Sequence, residues 1–219
     1  MKLVAISDVH CRQSRLVIPP CDILISAGDY SFKGEKHVVE DYHKWLNKQD
    51  ARHVVSVQGN HELWVEENFQ QAKEIAEKAC PGVHFIGSGQ AVDIEGTKIY
   101  GSAVTPYFHD WAWNSQRGPE IAAEWAKIPE DTEILITHGP PQGILDVVCY
   151  ADGTPKERVG CYDLFLRTQQ LKNLKIHIFG HIHSAHGQKY FNGKYYYNAS
   201  ICGETYAVDY EPTVIDYEK

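Results

Sequence analysis

Nothing in these 219 residues is apolar for long enough to cross a membrane, which takes about 20 such residues. The apolar run Leu3 to Ile6 ends at Ser7 and Asp8, too short for the core of a secretory signal. A soluble, unprocessed cytoplasmic protein with no membrane partner is expected. Cys-x-x-Cys pairs are missing as well. Six cysteines (Cys11, Cys21, Cys80, Cys149, Cys161, Cys202) stand singly along the chain, so free thiols are expected rather than a thiolate zinc site or a disulfide framework. A basic excess is lacking too: 21 Lys and Arg stand against 29 Asp and Glu, a formal charge of −8. That argues against an extended nucleic-acid surface, which needs a basic footprint. It leaves a phosphate substrate open, because two bound divalent cations would outweigh carboxylates such as Asp8 and Asp29. Internal repeats, low-complexity tracts and linker-like segments are absent. With 43% hydrophobic residues the chain can bury one substantial core, and one domain over 1–219 is expected.

What is there begins with five compact β-branched or aliphatic runs: Leu3 to Ser7, Asp22 to Ser26, His53 to Val57, Glu133 to Thr137 and Lys175 to Phe179. They read as short buried strands. Helical spacing of apolar residues marks Glu35 to Gln49, Glu66 to Ala79, Glu120 to Ile128 (after Pro119, a good first-turn residue) and Cys161 to Leu171. Hairpins are expected around Glu95-Gly96, around Asn192-Gly193, and between Thr205–Asp209 and Thr213–Asp216. Strands with helical crossovers plus hairpins make an α/β layered fold with mixed sheets.

The chemistry gathers where the strands end. After them come Asp8-Val9-His10, Gly28-Asp29, Gly59-Asn60-His61-Glu62, Thr137-His138-Gly139 and Gly180-His181-Ile182-His183. Carboxylates, an amide oxygen and imidazoles in one set suit two hydrolytic divalent cations without sulfur. Each residue alone has an ordinary reading: Asp29 as a turn residue, Asn60 as a helix cap, Glu62 as a first-turn acid facing a helix dipole, His138 as a turn histidine. A second Asp-x-His, Asp41-Tyr42-His43, lies in a helical pattern. Residues two apart there point to nearly opposite sides and cannot share a metal. The set is lifted by coincidence, since all five strands end in potential ligands, and open α/β sheets bind ligands at their carboxyl ends.

This order of five blocks, spanning residues 8 to 183, resembles the calcineurin-like metallophosphoesterases. Tyr100 to Pro141, with Pro106-Tyr107-Phe108 and Trp111-Ala112-Trp113-Asn114, looks like the small metallophosphoesterase-domain-containing proteins of that superfamily, and Asn198-Ala199-Ser200 fits too. The resemblance implies a four-layer α-β-β-α sandwich, two mixed β-sheets flanked by helices. It implies that Asp8, His10, Asp29 and His183 hold one metal, and that a bridging Asp29 with Asn60, His138 and His181 holds the other. Cys11 departs from the glycine that many members carry after that histidine.

Two metals about 3.5–4 Å apart share a water, lower its pKa and clamp phosphoryl oxygens during in-line displacement. His61 is read not as a ligand but as the acid that protonates the departing alkoxide. Two divalent ions are expected, manganese first, with Fe, Zn, Co or Ni also compatible. The expected activity is hydrolysis of small phosphodiesters such as cyclic nucleotides. A phosphomonoesterase or protein phosphatase on the same site, and a nucleotide-binding scaffold with little turnover, are the alternatives. Trp111 and Trp113 are candidates to stack on a base, Arg117 to touch phosphate, and oligomeric state is left open.

Overall fold

The computed structural model describes residues 1–150 and 152–218. In chain order the strands are β1 (Lys2–Ile6), β2 (Cys21–Ala27), β3 (Ala51–Val57), β4 (His84–Ile86), β5 (Gln90–Ile94), β6 (Thr97–Ser102), β7 (Thr105–Pro106), β8 (Asn114–Ser115), β9 (Ile134–Thr137), β10 (Val147–Cys149), β11 (Pro155–Arg158), β12 (Ile176–Phe179), β13 (Gly187–Phe191), β14 (Lys194–Asn198) and β15 (Thr213–Asp216). The helices are α1 (Lys36–Leu46), α2 (Leu63–Glu67), α3 (Phe69–Ala79), α4 (Pro119–Ala126) and α5 (Tyr162–Gln170). All five expected buried strands form, within two residues of their expected ends. No helix among the described residues is long and apolar enough to cross a membrane, and the six thiols are unpaired.

One sheet runs β15-β1-β2-β3-β4 and the other β13-β14-β12-β9-β6-β5. Strands β1 to β4 are mutually parallel, as are β6, β9, β12 and β14; the antiparallel members β15, β5 and β13 lie at edges. Side chains alternate between faces along a strand, so each sheet contributes to two cores. Ile99, Ile134, Ile136, Ile176 and Ile178 of the second sheet pack with Leu3, Ile25 and Val57 of the first. Tyr100 and Leu135 instead meet Ile121 and Trp125 of α4 and Leu164 of α5. On the far side of the first sheet, α1 docks through Tyr42 Oη to Ser26 Oγ (2.8 Å) and His43 Nε2 to Ser56 Oγ (3.1 Å). The result is the four-layer α-β-β-α sandwich, with strands buried on both faces and therefore apolar almost throughout.

Two expected elements change. The pattern from Glu66 to Ala79 is two helices, because Asn68 leaves helical geometry (φ −126°, ψ 37°) between α2 and α3. The third hairpin does not exist. Thr213–Asp216 pairs with β1 instead (Leu3 opposite Ile215), where it completes the edge of a buried sheet. Thr205 to Asp209 turns back over the strand ends, tied by a bridge between Cys202 and Val208.

A seam joins the sheets where β1 ends. Ser7 N donates to Ala199 O and Ile201 N to Ser7 O, each 2.8 Å, while Ala199 N donates to Phe179 O at 2.7 Å. The first and last motif blocks thus share one backbone junction. Gly180 sits in it so closely that an added Cβ would overlap Ser7 Oγ and Asp8 Oδ2 and come within 2.5 Å of Ser7 Cβ. Gly180→Ala should therefore destabilise the fold by about 1–3 kcal/mol, the usual penalty for overpacking, and weaken metal binding by moving Asp8. Denaturant unfolding with a metal titration checks both; unchanged stability and metal affinity would contradict the seam.

Candidate metal centre

Five parallel strand ends deliver their ligand-type side chains to one place, and the backbone there is bent to do it. Asp8 (φ 55°), His10 (φ 42°), Asp29 (φ 52°) and His181 (φ 69°) all adopt the left-handed region, which costs L-residues about 1–2 kcal/mol each. Such strain persists where neighbouring structure enforces it. Here Asp8 N donates to Gly28 O (2.9 Å) and His10 N to Asp29 O (3.1 Å), so the first two blocks lock one another.

Ligand atoms of Asp8, His10 and His183 lie within 4.8 Å of one another, as do those of Asp29, His138 and His181, and those of His10, Asp29 and His61. In the first group, His10 Nδ1–H donates to Ser31 O (3.0 Å) and His183 Nδ1–H to Gly203 O (3.1 Å). Their Nε2 atoms face each other at 3.3 Å, and His183 Nε2 is 3.4 Å from Asp8 Oδ1. That carboxylate oxygen is buried without a hydrogen bond. Its twin, Oδ2, is satisfied by His181 N (2.9 Å) and Ser200 Oγ (2.7 Å). Converging lone pairs on buried atoms are unfavourable unless a cation sits among them. In the second group, His138 Nδ1–H donates to Ala27 O (2.8 Å), leaving Nε2 2.9 Å from Asn60 Oδ1 and 3.1 Å from Asp29 Oδ2. Imidazoles oriented by backbone carbonyls and carrying a free nitrogen are what a metal ligand requires. The donors are N and O only, and they fit two divalent ions with Asp29 between the groups.

Glu62 is corrected by the structure. It is the fully buried residue just before α2 rather than an acid in the first turn facing the helix dipole, and it accepts hydrogen bonds from Asp29 N (2.9 Å), Gly59 N (2.7 Å), Ser31 N (3.1 Å) and Ser31 Oγ (2.8 Å). It braces the second and third blocks against each other.

His61 stands at the rim. Its N–H donates to Asp29 Oδ1 (2.8 Å), its Nδ1–H to Phe32 O (3.1 Å), and its Nε2 lies 3.9 Å from Asp29 Oδ2. Trp111 packs against it with ring centroids 4.3 Å apart. Trp113, expected to be available to a base, turns the other way. It is buried against Phe69 in the core, since Ala112 N to Asn60 O and Trp113 N to Glu66 Oε1 hold this stretch to the third block. Arg117 does not face the metal cluster. Its guanidinium donates to Val159 O (2.6 Å) and Gly160 O (2.8 Å). The sequence reading missed Tyr206, whose ring meets His10 (4.7 Å) and His183 (5.2 Å), and Phe32, which stacks on His10 (5.2 Å). Tyr206 carries no motif, and its segment reads as an arm of the hairpin that does not form. Ser200, by contrast, is visible in Asn198-Ala199-Ser200.

The sequence profile of the calcineurin-like phosphoesterases matches residues 1–185. The chain belongs to the calcineurin-like phosphoesterase family. It is 32% identical to human metallophosphoesterase domain-containing protein 1, over 98% of this chain and 70% of that protein. A UPF0046 protein of Caenorhabditis elegans is 30% identical over 98% of this chain and 74% of its own length. Among solved structures, the TT1561 protein of Thermus thermophilus shares the fold at 14% identity, with a TM-score of 0.58, covering 90% of this chain and 88% of that one. A calcineurin-like phosphoesterase is a metal-dependent enzyme with a dimetal centre, and the clustered ligand groups agree with it.

The charges of this phosphoesterase site are strongly coupled. Burial alone would raise the Asp8 and Asp29 carboxyls, but the surrounding imidazoles, His183 beside Asp8 and His138 beside Asp29, hold both well below the usual range. Burial works against protonation of His138 and His183 as well. There the neighbouring carboxylates prevail, Asp29 for His138 and Asp8 for His183, and push each up to about 9. His10 and His181 are lowered to about 4, chiefly by burial. In the metal-free protein, therefore, His138 and His183 carry protons at pH 7 while His10 and His181 do not. A metal must displace the former, so metal affinity should climb as pH rises toward about 9. Calorimetry at pH 7 in buffers of different ionisation enthalpy should register release of protons on loading. Affinity independent of pH, with no proton released, would contradict this electrostatic arrangement.

Proposed function

We propose that the protein is a phosphodiesterase for small diesters, with cyclic nucleotides of the 2′,3′ or 3′,5′ type as its first candidates. The observation that carries the diester preference is the wall of the cavity beside the ligand cluster. That cavity, about 220 Å³, is bounded by Phe108, Trp111, Tyr206 and Glu204, and its described lining includes neither lysine nor arginine. A monoester dianion, or a phosphoprotein, would call for basic side chains there and would be repelled by Glu204. A diester carries one negative charge and two organic arms, which suit the aromatic rings. The complete ligand set argues against a scaffold without turnover.

In this reading Asp8, His10, Asp29 and His183 hold one ion, and Asp29, Asn60, His138 and His181 the other. Manganese is the first expected occupant; N/O donors also admit Fe, Zn, Co or Ni. The ions, when bound, supply an activated water and neutralise charge on the phosphoryl oxygens. The chain supplies the rest. Asn60 contributes a neutral oxygen, which keeps the cluster positive toward phosphate. Asp29, its Oδ1 fixed by His61 N and its own N–H by Glu62, sets the spacing of the two groups. His61, its Nδ1–H anchored on Phe32 O, presents Nε2 to the cavity and gives a proton to the leaving alkoxide. Trp111 covers the flank of that imidazole. Six unpaired thiols support a cytoplasmic setting.

Hydrolysis of p-nitrophenyl diesters and monoesters with added Mn²⁺ tests the reading: faster diester turnover supports it, and faster monoester turnover overturns it. Asp29→Asn should abolish the paired centre and slow turnover at least about 10³-fold, the scale of several kcal/mol of lost transition-state stabilisation. A variant that keeps two metals and a near-normal rate would remove Asp29 from the bridging role. His61→Gln should leave the metals bound and slow alkyl diesters by about 10²–10⁴. The loss should shrink for nitrophenyl esters, whose leaving group needs little protonation. Equal losses on both would count against His61 as the acid.

A further inference from the structure

With no lysine or arginine in the described lining of the cavity at the metal cluster, hydrogen bonds from the chain to a phosphate there must come from neutral groups. Of the lining side chains, Asn60, His61, Trp111 and Tyr206 can donate without a formal charge. Asn60 turns its oxygen to the ligand cluster, His61 is committed to the leaving group, and Trp111 packs on His61. Tyr206 is left, and the backbone fixes where it stands. Gly203 O accepts from Tyr206 N (2.9 Å) and from His183 Nδ1–H (3.1 Å), so one carbonyl holds both the turn that carries the tyrosine and the ring of a ligand-type histidine. Gly203 N donates to Ala207 O (3.0 Å), which shuts the turn, and Ser184 N donates to Glu204 Oε1 (3.1 Å), which ties it to the last ligand block. Tyr206 itself adopts φ 59°, left-handed backbone that a side chain this large rarely takes and that surrounding structure must enforce.

The ring is set nearly perpendicular to His10 (4.7 Å) and to His183 (5.2 Å). His10 and Phe32 each touch both Tyr206 and His61, so they stand between these two side chains of the rim. Packing of this kind asks only for a ring, and phenylalanine would supply it. The hydroxyl is what the phenol adds, and among the described residues it is neither hydrogen-bonded nor buried. We infer that Tyr206 is a catalytic residue, whose hydroxyl donates a hydrogen bond to a non-bridging oxygen of the phosphoryl group under attack. The phenol keeps its proton throughout. The bond strengthens as negative charge builds on that oxygen in the transition state, which is how a preorganised donor speeds a reaction. One neutral donor also suits the single charge of a diester. The inference rests on the phosphodiesterase reading for the reaction, and it gives the phosphoryl oxygens a protein partner on the side away from His61.

Tyr206→Phe removes the hydroxyl and keeps the ring, so the variant should retain two Mn²⁺ per chain and an unchanged Tm. Its kcat/KM for bis(p-nitrophenyl) phosphate should fall at least about 10-fold, the worth of one hydrogen bond to a charged group. Orthophosphate, followed by calorimetry on the Mn²⁺-loaded protein, should bind at least about threefold more weakly. Tyr206→Leu, which loses the ring as well, should in addition weaken Mn²⁺ binding. Unchanged kcat/KM in Tyr206→Phe would overturn the catalytic role whatever Tyr206→Leu does, and so would loss of a metal from Tyr206→Phe, which would make the phenol a structural group. Absence of diester turnover in the unaltered protein would sink the phosphodiesterase reading alone, and orthophosphate would then decide on Tyr206. Equal affinity with and without the hydroxyl, or no binding to either protein, would overturn it.

Discussion

His10 and His183 each donate Nδ1–H to a backbone carbonyl, which turns their Nε2 atoms toward each other at 3.3 Å; with both rings neutral, two lone pairs would face each other beside a buried Asp8 oxygen. That repulsive geometry is the constraint on which the rest depends. An apolar interior would expel it, protonation relieves it in part through His183, and a cation relieves it fully. The same logic recurs at His138, whose Nε2 meets Asp29 and Asn60 and, in the metal-free protein, carries a proton between them. The protein maintains two clusters of converging ligand atoms in its interior, shared by protons until a cation takes their place, and its architecture can be understood as the means of holding them there.

Holding them takes backbone, not only side chains. Parallel strands bring five carboxyl ends to one edge, and the Ser7–Ala199 seam sets the first ligand block against the last. Four ligand-type residues then turn through left-handed geometry within a few residues of their strands. At about 1–2 kcal/mol apiece, the strain is comparable to the whole stability of many domains, about 5–15 kcal/mol. The surrounding hydrogen bonds offset it, above all the four that converge on the Glu62 carboxylate. Burial and the Asp29 charge push that carboxyl up to about 8, against the pull of its hydrogen bonds from Ser31 and Gly59. Gly59 belongs to the same close packing, since an added Cβ there would overlap Asp29.

Much of this was legible in the sequence, for physical reasons. Buried parallel strands are short continuous apolar runs, so β1, β2, β3, β9 and β12 announce themselves, and residues just past them are candidates to converge. Asn192-Gly193 announces the β13–β14 hairpin through its need for positive φ, met at 48° and 77°. Where local pattern and tertiary context part, the sequence misleads. Thr213–Asp216 alternates like a hairpin arm, yet the open edge of β1 captures it. Trp111 and Trp113 are two residues apart in one aromatic stretch, and only backbone bonds to Asn60 and Glu66 decide that one faces the cavity and the other the core. Tyr206 had no signal at all, because its place over His10 follows from a tight loop, closed by Cys202 against Val208, that the bond from Ile201 N to Ser7 O sets beside the first block.

Anomalous diffraction from crystals loaded with Mn²⁺ tests the central claim most directly, since it reports metal positions without reference to any activity. The account predicts two peaks per chain about 3.5–4 Å apart. One should lie among Asp8, His10 and His183, the other among Asn60, His138 and His181, with the Asp29 carboxylate between them. A single peak, or peaks seated away from Asp29, would contradict it.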